Sequence, residues 1–595
     1  MFLSKLMILH AEMRRMNAAK LLLQILKEHD IRHVFGLPGE TTLPLYAAWQ
    51  DLEPFPIEHV LARDERSAVF MADAYARVSF QPGVCESPSV GSTHLVPGVV
   101  EAYKASVPML VFTSDCPLHL ETRNMLTSFN QTALFQGITK DTITVTKGSE
   151  IPNILRRAFR IATTGKPGPV HVRLPMDILE EEIDDSEIDT QIYAQKDFTK
   201  YPGHRPIAGF EKINEALNLL YNAERPVLIC GQGVLYSQAW DEVTEFAELF
   251  GVPVGTTITG KGSIAETHPL SIGVIGSRGG TRFSNKIVRN ADLIFYIGCN
   301  TDSAGTSKWT LPAQDSDTKI IHLDISGVET GNNYRTDVVL IGDAKATLSR
   351  MIKVATIKIT PDKYEELPRI KQILKEAKEY NEFIKEVSQS DEKPVHPMRF
   401  IQELVQALPN EHILVTDPGI SAIYPSAFYK VRKAGRSIIF NYALGALGYA
   451  IPASVGAYYA KPESCIVALT GDGSYGFSVG EFETISRMGG NINIILFNNR
   501  CYGWIKAELQ ASYGSKYVDF STNFKEIDYQ KIAEGFGLVA FKVEKAKDLS
   551  ETLQKAVKLH EPTFTELIVK PENELIPPVP SWVKKAEEIG LKYVY

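Results

Sequence analysis

Two short signatures separated by 24 residues carry the oxygen ligands and glycines that a metal-bound phosphate requires. Gly471-Asp472-Gly473 follows the apolar run 464–470, and Asn498-Asn499 closes a second apolar run, 492–497. The pattern between them predicts a helix through Glu481–Met488, so the segment reads as a βαβ unit. A right-handed crossover brings the carboxyl ends of both strands to one sheet edge, where Asp472 and Asn499 can face each other. Both offer hard oxygen ligands, and glycine lets the backbone approach a ligand closely. One carboxylate, one neutral amide oxygen and a backbone carbonyl make a poor calcium cage. They suit Mg²⁺ whose other positions are filled by phosphate oxygens and water. Gly-Asp-Gly alone is an ordinary tight turn, and Asn-Asn an ordinary loop. Their conjunction across a helix and two buried strands points to a diphosphate held through a metal.

The elements that must position these residues alternate along the chain, strand-like apolar runs with helical patterns, which predicts an α/β protein. The fold class is three doubly wound parallel-sheet domains, placed at 13–180, 205–350 and 395–575. In the first, HVFGL leads into a turn at Pro38-Gly39, PIEHVLA precedes a helix from Arg66 to Arg77, and PVHVRLP closes the block near Pro175. The acidic stretch 179–191 and the polar YPGHRP (201–206) read as a linker. A charged helical segment, 362–390, leads to the third block, which begins near Pro397.

With 595 residues, 44% apolar and 23% charged, the chain can bury several cores, which excludes a disordered or disulfide-stapled protein. The net charge of −8 is spread without a basic patch, so nucleic acid is not an expected partner. Six scattered cysteines (Cys85, Cys116, Cys230, Cys299, Cys465 and Cys501) form no CxxC pair, and buried reduced thiols fit a reducing compartment. The opening MFLSKLMILHAE is too short to span a bilayer and is followed by no small-residue cleavage site. It reads as an extension or a misplaced start, and a cytoplasmic protein without a membrane partner is expected.

GDG followed by about two dozen residues and NN resembles the cofactor signature of thiamine-diphosphate enzymes. FGLPGETTLPLYAAW, ARDERSAVFMADAYAR, GKPGPVHVRLPMDIL, TTITGKGSIAETHPLSIGVIG and ALGALGYAIPASVGAYYA resemble, in the same order, segments of acetolactate synthase large subunits. The resemblance implies a pyrimidine-binding domain, a central Rossmann-like domain and a diphosphate-binding domain. It implies that Asp472, Asn499 and the backbone oxygen of Cys501 bind Mg²⁺, with Gly471, Gly473 and Ser474 at the diphosphate. Gly419, Ile420, Ser421, Ala446, Leu447, Tyr502, Gly503 and Trp504 would complete the cofactor's surroundings, with Leu447 propping its bent form and Trp504 and Ile505 lining the substrate pocket. Read from the residues alone, Glu65 is an acid favouring a helix N-terminus. By the resemblance it is the glutamate that bonds the aminopyrimidine ring and activates the cofactor. In that family the two ends of the cofactor are held by different subunits, so at least a homodimer, or a homotetramer, is implied. The residues identify no regulatory small subunit.

The same resemblance implies decarboxylation of a small-molecule 2-oxo acid, with transfer of the acyl unit to an acceptor carbonyl as the expected outcome. A non-oxidative decarboxylase and a flavin-linked oxidase are the alternatives. Simple decarboxylases carry adjacent histidines where this chain has SDCPLHL, and an acid where it has Ile505. Glu40, directly after Pro38-Gly39, supplies an acid in the decarboxylase manner and is a candidate catalytic group, or else a solvent-facing loop glutamate. His94, in STHL, resembles the pyruvate oxidase version of its segment and is a third catalytic candidate. Where acetolactate synthases carry Phe-Gln-Glu this chain has Leu126-Thr127-Ser128, with Asn130-Gln131 nearby. FAD stays open: segments 276–285 and 297–309 fall where flavin-containing relatives bind it, but Asn300, Thr301 and Ser303 replace the usual arginine and aspartates. Gly231 and Gly233 form a lone GxG.

Overall fold

Three parallel sheets of six strands each organise the chain, with helices joining most successive strands. The computed structural model describes residues 16–184, 190–357, 363–575 and 577–582, with Ile188 and Glu587 besides. The opening stretch read as an extension, and the expected domain start at 13, lie outside these. By compactness the chain divides into residues 1–204 with 455–461, and residues 205–454 with 462–595. The first unit holds one of the six-stranded sheets and the second holds two. Among the described residues no helix is long and apolar enough to cross a membrane. All six cysteines are free and buried, as the apolar runs around them predict.

In the first unit the strand order is Glu58–Leu61, His33–Gly36, Gly83–Ser87, Met109–Asp115, Pro169–Pro175, Asp141–Thr144. A short antiparallel pair, Met16–Asn17 with Glu182–Ile183, ties the start of this unit to its end. The acidic stretch expected as linker from 179 therefore begins as ordered structure; Glu181 also accepts the Gly148 N–H at 2.7 Å. The polar YPGHRP is likewise anchored: Tyr201 is buried and donates its hydroxyl to the Ala76 carbonyl at 2.6 Å. The helix expected at 66–77 runs Glu65–Ser79, because the Asp64 side chain caps it by accepting the Arg66 N–H at 2.8 Å. From Ser67 to Val78 this helix is buried all round. Its one cationic side chain there, Arg77, is neutralised inside the core by Asp73 at 2.7 Å and Glu101 at 3.2 Å.

In the second unit the central sheet has the order Ser271–Val274, Val254–Thr256, Pro226–Cys230, Leu293–Ile297, Lys319–Asp324, Val338–Ile341. The last sheet runs Ile438–Phe440, His412–Thr416, Cys465–Gly471, Ile492–Asn498, Thr563–Ile568, Val539–Val543. Its inner strands are buried nearly throughout, which is why they read as continuous apolar runs rather than alternating ones. Both signature strands extend one residue further than expected, to Gly471 and Asn498, and the helix between them spans Glu481–Met488 as predicted. The charged helical segment is shorter than the expected 362–390: the helix is Pro368–Val387, started by a proline that fixes φ at its first position.

Candidate active site

The strand order of the last sheet reverses at His412–Thr416. The chain passes first to Ile438–Phe440 on one side and then to Cys465–Gly471 on the other. Open α/β sheets bind ligands at such a switch point, beyond the carboxyl ends of the strands. A cavity of about 360 Å³ lies there, within the ~300–1,000 Å³ of small-molecule sites. Pro418, Gly419 and Ile420 line it from one strand end, and Gly471 to Ser474 from the other. Asn499 and Cys501 to Ile505 line it from the end of Ile492–Asn498, and Leu447, Tyr442, Arg278 and Glu572 complete the wall.

Asp472 is the electrostatic centre of this cavity. It is buried, and its carboxylate is met by backbone N–H groups, from Gly473 at 2.9 Å and Arg500 at 2.6 Å. Among the described residues no cationic side chain pairs with it. Burial pushes the carboxyl up from 3.8 to about 7, although the N–H donors oppose the shift. Arg500 holds its N–H in place from the left-handed region, at φ 59°, where a non-glycine residue is strained. Asn499 accepts the Cys501 N–H on its Oδ1 at 3.1 Å and donates its Nδ2 to Glu572 at 2.7 Å. The Cys501 carbonyl accepts the Gly503 N–H at 2.9 Å, which leaves it one lone pair.

This donor set fits the expected cofactor and metal. A buried carboxylate without a counter-ion, beside an amide oxygen and a carbonyl, is a hard-oxygen seat for Mg²⁺ completed from outside the protein. Next to it, a Cβ placed on Gly471 or Gly419 would meet nothing within 4 Å, so backbone is bare toward open space. Gly419 also has φ +101°, a conformation that only glycine adopts cheaply. Leu447 and Trp504 reach the cavity as expected, and Trp504 also packs against Trp582 with ring centroids 4.7 Å apart. Ser421 turns away, donating to the Asp417 carbonyl at 2.9 Å, and neither it nor Ala446 is among the cavity-lining residues.

Three lining or supporting residues were not singled out from sequence. Glu572 is buried and pushed up to about 7 by desolvation. Arg278 places its guanidinium 4.5 Å from the Trp504 ring centroid. Asp417, fully buried and raised to about 6 by desolvation, accepts the Thr470 hydroxyl at 2.7 Å and the Tyr449 N–H at 2.8 Å. It thereby pins the loop that carries Leu447. The spacing of GDG and NN announces none of the three.

In the first unit, Glu65 stands at the first position of its helix, mostly buried. Its Oε2 meets His94 Nδ1 at 2.9 Å, and Asp64, Glu65 and His94 bring their ligand atoms within 4.8 Å of one another. Two of the three catalytic candidates are therefore in contact. A Cβ on Gly91 would lie 2.3 Å from Glu65 Oε1, so any larger residue there would displace this carboxylate. Glu40 opens a short turn with its side chain exposed. Leu126 is 85% exposed, whereas Gln131 is fully buried and bonds Ser89 and the Ser114 carbonyl, a structural tie within this unit.

The central sheet has its own switch point, between Pro226–Cys230 and Leu293–Ile297. Backbone closes it: a Cβ on Gly231 would sit 2.2 Å from the Gly298 carbonyl oxygen, and one on Gly233 2.7 Å from the Gly298 Cα. These two glycines serve close chain packing. Segment 276–285 folds on itself, with Asn285 bonding both the N–H and the carbonyl of Gly276 at 2.8 and 3.0 Å.

Comparison with known proteins agrees with this geometry. Residues 16–134 match "Thiamine pyrophosphate enzyme, N-terminal TPP binding domain", 213–351 the central domain and 417–567 the "C-terminal TPP binding domain". The chain is 34% identical to the "Probable acetolactate synthase large subunit" of Methanocaldococcus jannaschii over 575 residues, 95% of this chain and 94% of that one. It is 30% identical to the "Acetolactate synthase large subunit" of Lactococcus lactis subsp. lactis over 583 residues, 97% and 96% of the two chains. The protein belongs to the thiamine pyrophosphate enzyme family, as a relative of acetolactate synthase large subunits over nearly its whole length.

Proposed function

We propose that the protein decarboxylates a 2-oxo acid and joins the remaining acyl unit to an acceptor carbonyl, in the manner of an acetolactate synthase, with thiamine diphosphate and Mg²⁺. The observation that carries this reading is the buried, uncompensated carboxylate of Asp472 at the mouth of a glycine-lined cavity. When bound, thiamine diphosphate supplies a carbon nucleophile that adds to carbonyls and accepts the electron pair released with CO₂. Asp472, Asn499 Oδ1 and the Cys501 carbonyl would hold Mg²⁺. The backbone of Gly471 and Gly473, with Ser474, would take the diphosphate, and Leu447 would support the cofactor's bend.

Glu65 would bond the aminopyrimidine ring, with His94 holding its carboxylate until then. Held from two ends by different copies of the chain, the cofactor would make the working unit a homodimer or a homotetramer. The three sheets then correspond to the pyrimidine-binding (13–180), central (205–350) and diphosphate-binding (395–575) domains.

Transfer to a carbonyl is favoured over protonation to an aldehyde by the wall at Trp504 and Ile505. That wall offers apolar surface and the Arg278 guanidinium, with Ile505 at the position where simple decarboxylases carry an acid. The donor's carboxylate departs as CO₂, so a cation that paired with it would stabilise the ground state more than the transition state. A carboxylate retained through the reaction, on the acceptor, is what Arg278 would anchor productively. The test is CO₂ release from a panel of 2-oxo acids, with both cofactors and with each withheld in turn. Release that depends on both supports the reading, and release that persists without either removes it.

A further inference from the structure

Amide side chains have a nitrogen and an oxygen of nearly the same shape, and only the oxygen can bind a cation. Something must therefore decide which way Asn499 points. Its Nδ2 donates to Glu572 Oε2 at 2.7 Å, a contact the amide oxygen cannot replace with a carboxylate oxygen that accepts. The nitrogen is thus committed to Glu572, and Oδ1 is left for the side of Cys501.

Glu572 is well placed to enforce this. It follows the strand Thr563–Ile568, which is registered against Ile492–Asn498, and the Val569 N–H donates to the Asn498 carbonyl at 3.0 Å. Its carboxylate also feels the backbone N–H dipole of Ile420, at the opposite strand end of the switch point, and the two residues line the same cavity. One buried side chain therefore stands between two walls of the cavity. The residue after Tyr502 answers to it as well: a Cβ on Gly503 would lie 1.7 Å from Glu572 Oε2 and 2.5 Å from Asn499 Nδ2. Gly503 is glycine because the Asn499–Glu572 contact occupies the space a side chain would need.

We propose that Glu572 is a positioning residue for the metal site, fixing the amide of Asn499 so that its oxygen faces the cation, with Gly503 leaving room for the contact. The proposal rests on the Mg²⁺ site put forward above. Partners that orient metal ligands in this way are typically worth ~10–100-fold in metal affinity.

The experiment is a titration of Mg²⁺ into the full-length protein at saturating thiamine diphosphate, followed by Trp504 fluorescence, with Mn²⁺ spin resonance as the spectroscopic reading of the ligand set. Glu572→Ala weakens metal binding at least ~10-fold, because the amide keeps only its contact with Cys501 and loses the one that holds its nitrogen. Glu572→Gln, which can still present an oxygen to Asn499 Nδ2, restores most of that affinity. Gly503→Ala weakens binding by itself, and adding it to Glu572→Ala brings no further loss, since both act on one contact. Unchanged affinity in Glu572→Ala overturns the proposal. So does a Glu572→Gln variant as weak as Glu572→Ala, which would make charge rather than amide orientation the cause, and so does simple additivity of the two substitutions. A wild-type protein that binds neither metal would instead remove the Mg²⁺ site on which the proposal stands.

Discussion

Asp472 and Arg500, 28 residues apart in sequence, meet through a 2.6 Å hydrogen bond from the Arg500 backbone N–H to Asp472 Oδ2. The bond closes the two signature turns on each other and holds Arg500 in a left-handed conformation. It also leaves the carboxylate solvated by peptide dipoles alone, without a full positive charge. This arrangement explains both a carboxyl that titrates near neutrality and a site that gains from a cation.

The first prediction concerns pH. Asp472 is raised from 3.8 to about 7 in the fold, so the metal-free protein loses stability from this group as pH rises from about 4 to about 7. Glu572, raised from 4.5 to about 7, acts in the same direction. Mg²⁺ requires the ionised form of Asp472, so its binding releases a proton below about pH 7 and strengthens ~10-fold per pH unit, then levels off. Titration calorimetry in buffers of different ionisation enthalpy measures the protons directly. No proton release at pH 6 would contradict the assignment.

Glu65→Gln should keep thiamine diphosphate bound while slowing exchange of the cofactor's reactive carbon-bound proton, followed by NMR, by orders of magnitude. Gly91→Ala, whose Cβ would lie 2.3 Å from Glu65 Oε1, should reproduce part of this defect without touching the carboxylate's chemistry. Unchanged exchange in Glu65→Gln would refute the role.

Arg278→Gln should raise KM for a 2-oxo acid acceptor ~10-fold or more, the scale of one lost charge-assisted hydrogen-bonding partner. CO₂ release from the donor and use of a neutral aldehyde as acceptor should change little. Arg278→Lys should recover only part, because a point charge lacks the planar fork. An equal loss with both acceptors would contradict the anchor.

Stability should depend strongly on Arg77, whose guanidinium is buried between Asp73 and Glu101. Arg77→Ala leaves two buried carboxylates uncompensated and should cost about 3–5 kcal/mol, measured by denaturant unfolding. A loss below 1 kcal/mol would show that the core relaxes around them.

The βαβ unit around GDG and NN was legible in the sequence because buried parallel strands are uninterrupted apolar runs and the glycines mark where they stop. Glu65 and His94 were each legible as candidates, but their 2.9 Å contact was not, since it depends on how the loop at Gly91 packs. Glu572 was illegible for a clearer reason. It lies 73 residues beyond Asn499, in a polar PEN segment that looks like any strand exit. Only the sheet order, which places Thr563–Ile568 beside Ile492–Asn498, brings it to the cavity. Arg278 sits in a glycine-rich turn whose direction is set by distant packing, with Gly279 so close to Ser426 that a Cβ would overlap its hydroxyl. The linker misled in the opposite way: YPGHRP reads as a polar connection, yet its Tyr201 is buried against the Glu65–Ser79 helix.

The reaction proposed for this protein joins two carbonyl compounds after releasing CO₂. The most direct measurement is ¹³C NMR of the products formed from a 2-oxo acid labelled at its keto carbon, with thiamine diphosphate and Mg²⁺ present. The expected product carries two adjacent labelled carbons showing one-bond coupling, from the acyl carbon of one molecule bonded to the former keto carbon of another. Free aldehyde as the sole labelled product, with no coupled pair, would contradict it.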